Sequence, residues 1–233
     1  MSEIQKGLEY NAKEDYMVRM FHVYKVYLPG QPVLEDINLD VRKGAFIVIA
    51  GPNGAGKSTL INLIAGQELA DRGEIIVNGR NLARLKGKNR QVLRQTLGLM
   101  TQDQCLLSSE TLYQNLALIP LLQGLPGKEV HKKVSETLSL VGLKGKLTLH
   151  LGQFSKGEQQ LAALARAIIH EPVLLLADDP TYNLDPDNQL LVMRIFKQLN
   201  EGGMTIILTT REKTFDRAGY QRLIRLEKGR IVG

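Results

Sequence analysis

Gly51-Pro52-Asn53-Gly54-Ala55-Gly56-Lys57-Ser58-Thr59 decides the fold. The stretch reads G-x-x-x-x-G-K-S, a phosphate-binding loop with every required residue present. Before it runs Ala45 to Ala50 (AFIVIA), short, apolar and β-branched. After it Leu60 to Ala65 (LINLIA) continues as an apolar helix. Strand, glycine-rich turn and helix are the setting such a loop needs. Gly51, Gly54 and Gly56 let backbone N–H groups turn inward around phosphate oxygens. The helix starting near Lys57 directs the positive end of its dipole at the same anion. Lys57 is placed to reach the terminal phosphates, and the Ser58 hydroxyl to ligate a magnesium ion. An ordinary glycine turn between strand and helix has no use for the Lys-Ser pair, so residues 51–59 are read as a nucleoside triphosphate site.

Composition sets the frame around this loop. The chain has 233 residues, room for one large domain or a domain with an inserted lobe. Apolar content of 43% supports a sizeable core, and charged content of 23% is ordinary for a soluble protein. A net charge of +6 would suit a nucleic acid, an anionic membrane surface or a phosphorylated ligand. Aromatic content of 5% without Trp argues against single-stranded nucleic acid, which needs stacking platforms, and no nucleic-acid partner is expected. The lone Cys105 excludes an internal disulfide and fits a reducing compartment. No stretch has the length and apolarity of a membrane span, and MSEIQKGLEY lacks the apolar region of a signal peptide. A cytoplasmic protein is expected, with a membrane partner still open.

In chain order, residues 1–16 are polar and aperiodic and read as a flexible extension. Met17 to Tyr24 and Val33 to Val41 alternate as strands, with a turn at Leu28-Pro29-Gly30. Tyr27, just before that turn, is either a stacking platform for a nucleotide base or a half-buried strand-end residue. Glu74 to Val77 reads as a strand closed by the hairpin turn Asn78-Gly79. Arg80, Arg84, Lys86, Lys88, Arg90 and Arg94 follow with no acid among them, a solvated face or a contact for anionic headgroups. Thr96 to Met100 is a strand leading to Gln102. Leu-rich helical stretches, including a helix over 128–141, then make residues 103–165 an inserted helical lobe. Val173 to Asp178 (VLLLAD) is a continuous apolar strand of the parallel kind. Helix 187–200, strand Thr205 to Thr209 and a hairpin around Lys228-Gly229 complete an α/β core.

Asp178 and Asp179 form the second chemical cluster. A carboxylate ending a buried strand lies beside the phosphate loop in such sheets, so Asp178 is expected to hold magnesium with Ser58. Asp179 is placed to orient or deprotonate the attacking water.

Phe154-Ser155-Lys156-Gly157-Glu158-Gln159-Gln160 resembles the LSGGQ signature of the ABC ATPases. Gln102 resembles the Q-loop, Asn183-Leu184-Asp185 the D-loop and Tyr27 the A-loop aromatic, in family order over about residues 17–231. The stretches 113–117, 120–124 and 80–85 resemble the group of this family that contains FtsE, LolD and MacB, the last of them FtsE in particular. The resemblance implies an α/β fold: a P-loop NTPase core of the ABC ATPase type, with an antiparallel β subdomain and the helical subdomain inserted. It implies that Gln102 joins Ser58 and Asp178 at the metal and serves catalysis with Lys57, Asp179 and Arg211. It further implies a head-to-tail dimer, homomeric or heteromeric, enclosing two ATP molecules. Ser155, Lys156, Gly157 and Glu158 would then meet the γ-phosphate bound by the other subunit. A transmembrane partner would dock near residues 103–125, holding the chain at the inner face of the membrane. Such a partner belongs to cell division, or to lipoprotein or small-molecule export; a nucleotide-gated switch with little turnover is the other reading.

The chain departs from the family pattern at several points. Asp179 stands for the usual glutamate, Arg211 for the switch histidine, Lys156 for the first signature glycine and Leu161 for a common arginine. Asp is shorter than Glu by one C–C bond, about 1.5 Å, and a misplacement of about 1 Å can cost on the order of a hundredfold in rate. Opposed size changes at two facing positions lead to the expectation that Arg211 spans toward Asp179 or the γ-phosphate, so that turnover is slow while binding survives.

Overall fold

The computed structural model describes residues 15–101, 106–182, 184–211 and 219–232. The expectations for residues 1–14, Gln102, Cys105 and Asn183 lie outside the described residues.

Phe46–Ala50 (β3), Leu174–Asp178 (β7) and Thr205–Thr210 (β8) are buried at every position. A strand can be apolar on both faces only when both faces are covered, which is the parallel-sheet solution. With Leu97–Met100 (β6), Arg222–Glu227 (β9) and Arg230–Val232 (β10) they form a six-stranded sheet in the order β10-β9-β3-β8-β7-β6. All pairings in it are parallel except β9 with β10. Alternate residues feed two cores. Ile47, Ile49, Leu174, Leu176 and Ile207 pack under Lys57–Ile64 (α1), while Phe46, Val48, Leu175, Ala177, Ile206 and Leu208 face the helices within residues 112–168 and 186–201.

A second, antiparallel sheet leans on the α1 side in the order β2-β1-β4-β5. Its strands are Tyr16–Leu28 (β1), Gln31–Arg42 (β2), Arg72–Val77 (β4) and Arg80–Asn81 (β5). Strand β1 runs past Tyr24, where the alternation in the sequence ends, to Leu28. Register shifts on both sides of Val23 and a left-handed His22 (φ 48°) mark a bulge that resets which residues face inward. The basic run after β5 contains a helix that its composition did not signal, Lys88–Arg94 (α2). Two of its arginines fold back onto backbone carbonyls, Arg94 onto Gly66 (2.9 Å) and Arg90 onto Leu85 (3.2 Å).

The helical lobe comprises Leu112–Leu122 (α3), Gly127–Leu140 (α4) and the start of Lys156–Ile168 (α5). Helix α3 opens on a capping box between Thr111 and Gln114. Buried Asn115 ties the preceding loop to it, accepting from Leu107 N–H (2.8 Å) and donating to the Leu107 and Thr111 carbonyls. Helix α5 continues to Ile168, past the lobe end expected at about 165, and its Gln160 donates to the Pro180 carbonyl (2.8 Å). Pro186–Glu201 (α6) follows, capped by Asp185 with Pro186 at its first position.

Parallel register determines where chemistry gathers. Ala50 pairs with Thr210, Asp178 with Thr209 and Met100 with Ala177, so β3, β8, β7 and β6 end on one edge. The loop 51–56, Asp179 and Arg211 all leave from that edge, the side on which open α/β sheets bind ligands. The turn between β9 and β10 reaches the same place. Gly229 donates its N–H to Ala55 (3.1 Å) and accepts with its carbonyl from Glu35 N–H on β2 (2.8 Å).

Candidate functional site

The phosphate loop is tied down at its start. Gly51 donates to the Thr210 carbonyl (3.1 Å), and a Cβ at Gly51 would overlap the Leu226 carbonyl oxygen. Gly56 stands at φ +100°, where a Cβ would meet Leu34 and Val33, and it caps α1 without any side-chain acceptor. The first-turn N–H groups of α1, which no residue four positions back can accept, therefore stay available to an anion. Ser58 is exposed on this turn.

Buried Lys57 folds over the loop, donating to the Gly51 (2.7 Å) and Pro52 (2.9 Å) carbonyls. Burial pushes its ammonium below the usual lysine range, while Asp179 and then Asp178 pull it back up. The two carbonyls hold the cation where phosphate oxygens can replace them.

Asp178 and Asp179 are both 5% exposed. Thr209 organises them. Its hydroxyl donates to Asp178 Oδ1 (2.5 Å), and the Asp179 N–H donates to the Thr209 hydroxyl and carbonyl oxygens, each at 3.1 Å. Asp179 adopts φ 52°, the left-handed region, at a stored cost of about 1–3 kcal/mol. Burial raises its carboxyl pKa, with Asp178 adding to the rise, and Arg211 and Lys57 opposing it. Arg211 Nε stands 2.5 Å from Asp179 Oδ2. The contact is an ion pair, and among the described residues Oδ2 has no hydrogen-bond partner by geometry. The guanidinium carbon of Arg211 lies 4.0 Å from the centroid of the Tyr182 ring.

Ser155 caps α5 through a capping box. Its N–H donates to Glu158 Oε2 (2.8 Å) and its hydroxyl accepts from Glu158 N–H (3.3 Å). Lys146 pairs with the other carboxylate oxygen of Glu158 and, with the cap, holds that acid below its usual range. The box occupies the Ser155 and Glu158 amides, which leaves those of Lys156 and Gly157 as the open donors of the turn. Lys156 is exposed, and a Cβ at Gly157 would crowd Asn188 at 3.2 Å. Among the described residues no hydrogen bond or ion pair joins 155–158 to the loop 51–59. Tyr27 is half-exposed, its hydroxyl donates to Glu68 Oε2 (2.6 Å) and lies 3.4 Å from Thr59 Oγ1, and Lys25 Nζ stands over its ring, 5.2 Å from the centroid.

These positions match a known family. The model of the family described as ABC transporter aligns with residues 34–182, which contain the loop, the signature helix and both aspartates. The chain belongs to the ABC transporter family. This ABC protein is similar to the cell division ATP-binding protein FtsE of Streptococcus pneumoniae, 38% identical over 93% of this chain and 94% of that protein. FtsE of Bacillus subtilis is 37% identical (93% and 95%), and FtsE of Escherichia coli 36% (93% and 98%). Among solved structures it is similar to a dimeric post-hydrolysis ATP-binding cassette bound to ADP and Pi, with TM-score 0.85 and 31% identity over 92% of this chain and 96% of that one. Another is cbiO1 of Clostridium perfringens, part of an ABC transporter complex (TM-score 0.85, 26% identity, 94% and 88%). The fold is thus the ABC ATPase core with its antiparallel β subdomain and helical lobe, and the chain is an ABC-type ATPase that binds ATP.

Among the described residues no group of three or more His, Cys, Asp or Glu could hold a metal alone. Magnesium takes one or two protein oxygens and completes its shell with phosphates and water, and the oxygens of Ser58 and Asp178 would fit such a role. Sequence reasoning missed Thr209, Lys146 and Tyr182. Thr209-Thr210 at the end of an apolar strand is a signal for the first, because its register with Asp178 follows once both strands are parallel.

Proposed function

We propose that this chain is the ATP-binding subunit of an FtsE-type membrane complex acting in cell division, in which ATP closes two copies head to tail. The observation that carries this reading is the pair of amide-rich helix starts that do not meet within one chain. Loop 51–59 and α1 present one set of donors, and the Lys156 and Gly157 amides another. A triphosphate held between two copies satisfies both.

In this arrangement Gly51 through Thr59 wrap the phosphates, Lys57 exchanges its two carbonyls for β- and γ-phosphate oxygens, and Tyr27 offers its half-exposed ring to the base. Ser58 and Asp178, with Gln102, would hold Mg2+, which when bound would supply positive charge to the triphosphate. Asp179 orients or deprotonates water and Arg211 stabilises charge on the γ-phosphate. The Arg211–Asp179 ion pair favours slow turnover, because the base is neutralised by the cation that the phosphate also needs. Leu118, Leu121 and Leu122 on α3 and Leu107 before it are exposed large apolar residues and make up the docking face toward the transmembrane partner. No described helix is long and apolar enough to cross a membrane, so attachment to the inner face runs through that partner.

The test is sedimentation of the purified Asp179→Asn chain with and without Mg-ATP; a chain that binds nucleotide yet stays monomeric overturns the dimer reading. Single-turnover hydrolysis of the natural chain, Asp179→Glu, Arg211→His and the double variant tests the slow site. If none of the three variants is faster, the reading of the pair is wrong.

A further inference from the structure

Arg211 is gripped from two sides. Asp179 holds the guanidinium at Nε through an ion pair, and a contact at one atom does not fix the plane of the group. Tyr182 does. Its ring centroid lies 4.0 Å from the guanidinium carbon, well inside the roughly 6 Å over which a cation is drawn to an aromatic face. Two stacked planar groups keep a common orientation, which a point cation on a flexible stem would not.

The ring is itself placed by backbone. The Tyr182 N–H donates to the Asp179 carbonyl (3.1 Å), closing the turn that leaves β7, and Leu184 N–H reaches the Thr181 carbonyl (3.3 Å). Base and aromatic platform are therefore carried on one short turn. Tyr182 is 49% exposed, so burial of its ring does not explain its position; the contact with Arg211 does. Arg211 also lines a cavity of about 450 Å³ with Ala50, Gly51 and Pro52, the start of the phosphate loop. The Tyr182 ring covers one side of the guanidinium, and the cavity at the start of the phosphate loop lies on another.

We infer that Tyr182 is a positioning residue for hydrolysis, holding the Arg211 guanidinium in the plane from which it meets the γ-phosphate. The inference rests on the reading of Arg211 given under the proposed function and adds the group that orients it. Tyr182 touches no reacting atom. Its loss frees the guanidinium to rotate, so the rate falls while nucleotide binding, which loop 51–59 provides, stays.

The experiment uses the purified chain with Mg-ATP, measuring single-turnover hydrolysis and the affinity for a fluorescent ATP analogue. The variants are Tyr182→Leu, Tyr182→Phe, Arg211→Ala and Tyr182→Leu with Arg211→Ala. Tyr182→Leu is expected to be about two- to fivefold slower, the size of a cation–π contact at an exposed site, with affinity unchanged. Tyr182→Phe, which retains the ring, keeps the rate. The double variant is no slower than Arg211→Ala alone, because the platform has nothing left to hold. A Tyr182→Leu chain with the natural rate, or a double variant whose losses multiply, overturns the inference and leaves Arg211 in its role. A Tyr182→Phe chain as slow as Tyr182→Leu overturns it too, by showing that the hydroxyl mattered and the stack did not. If Arg211→Ala hydrolyses at the natural rate, the reading of Arg211 fails first and the inference falls with it.

Discussion

Replacing Arg211 by alanine should destabilise the nucleotide-free chain, and by an amount that depends on pH. Asp179 is 5% exposed, and its Oδ2 has no aligned donor other than what Arg211 offers as a charge. Removing one partner of a fully buried ion pair costs about 3–5 kcal/mol. The Arg211 side chain is 29% exposed, so about 2 kcal/mol is the better expectation after discounting for solvent. For a domain of this size that lowers the midpoint of thermal unfolding by about 4–8 °C. The sign with pH follows from the carboxyl. Burial holds the folded pKa of Asp179 above its ordinary value, and Arg211 opposes that rise. Its loss moves the folded pKa further up. An acid with a raised folded pKa contributes stability that is complete below the unfolded value, about 3.9, and is lost as pH rises through the folded value. The deficit of Arg211→Ala is therefore largest at pH 8 and shrinks on acidification toward pH 4. Calorimetry of both chains across that range, without nucleotide or divalent ions, reads it directly. Equal midpoints at pH 8, or a deficit that grows on acidification, would refute the assignment of Asp179 as a buried charge neutralised by Arg211. Asp179→Asn in the Arg211→Ala background should recover most of the loss.

Gly51→Ala drives a Cβ into the Leu226 carbonyl, whereas Gly54→Ala meets open space and only the strain of φ +76°. Fluorescent-nucleotide titration should find binding abolished in the first and weakened in the second. Ser155→Ala removes the cap of α5 and should cost about 1 kcal/mol, seen as a fall of about 2–4 °C in the thermal midpoint. Leu121→Ser with Leu122→Ser alters side chains 53% and 76% exposed; it should leave the midpoint and the basal ATPase rate unchanged while reducing co-purification with the transmembrane partner.

Much of this architecture was legible from short-range chemistry. AFIVIA, the phosphate loop and VLLLAD each carry their own periodicity or motif, and once both strands run parallel in one sheet, with β8 between them, the edge that gathers Lys57, Asp178 and Asp179 follows. The approach of Arg211 to Asp179 was also foreseeable, since a longer cation and a shorter acid stand where the family has histidine and glutamate. What escaped reading depends on contacts made through space. The bulge at His22 hid the second half of β1 because it reverses the inward face in mid-strand. Helix α2 escaped because a run of lysine and arginine has the same composition whether it is helical or not; its single deeply buried residue, Leu93, sets no period. Thr209 and Tyr182 acquire their roles only across the β7–β8 pairing, where residues some thirty positions apart become neighbours.

Gly229 gives the last turn of the chain a mechanical meaning. One residue fastens its amide to the cradle at Ala55 and its carbonyl to the opposite sheet at Glu35, with no space there for a side chain. Grip on the nucleotide and tilt between the sheets thereby become a single coordinate. Whatever pries the layers apart from outside loosens the cradle, and whatever fills the cradle stiffens the whole wedge.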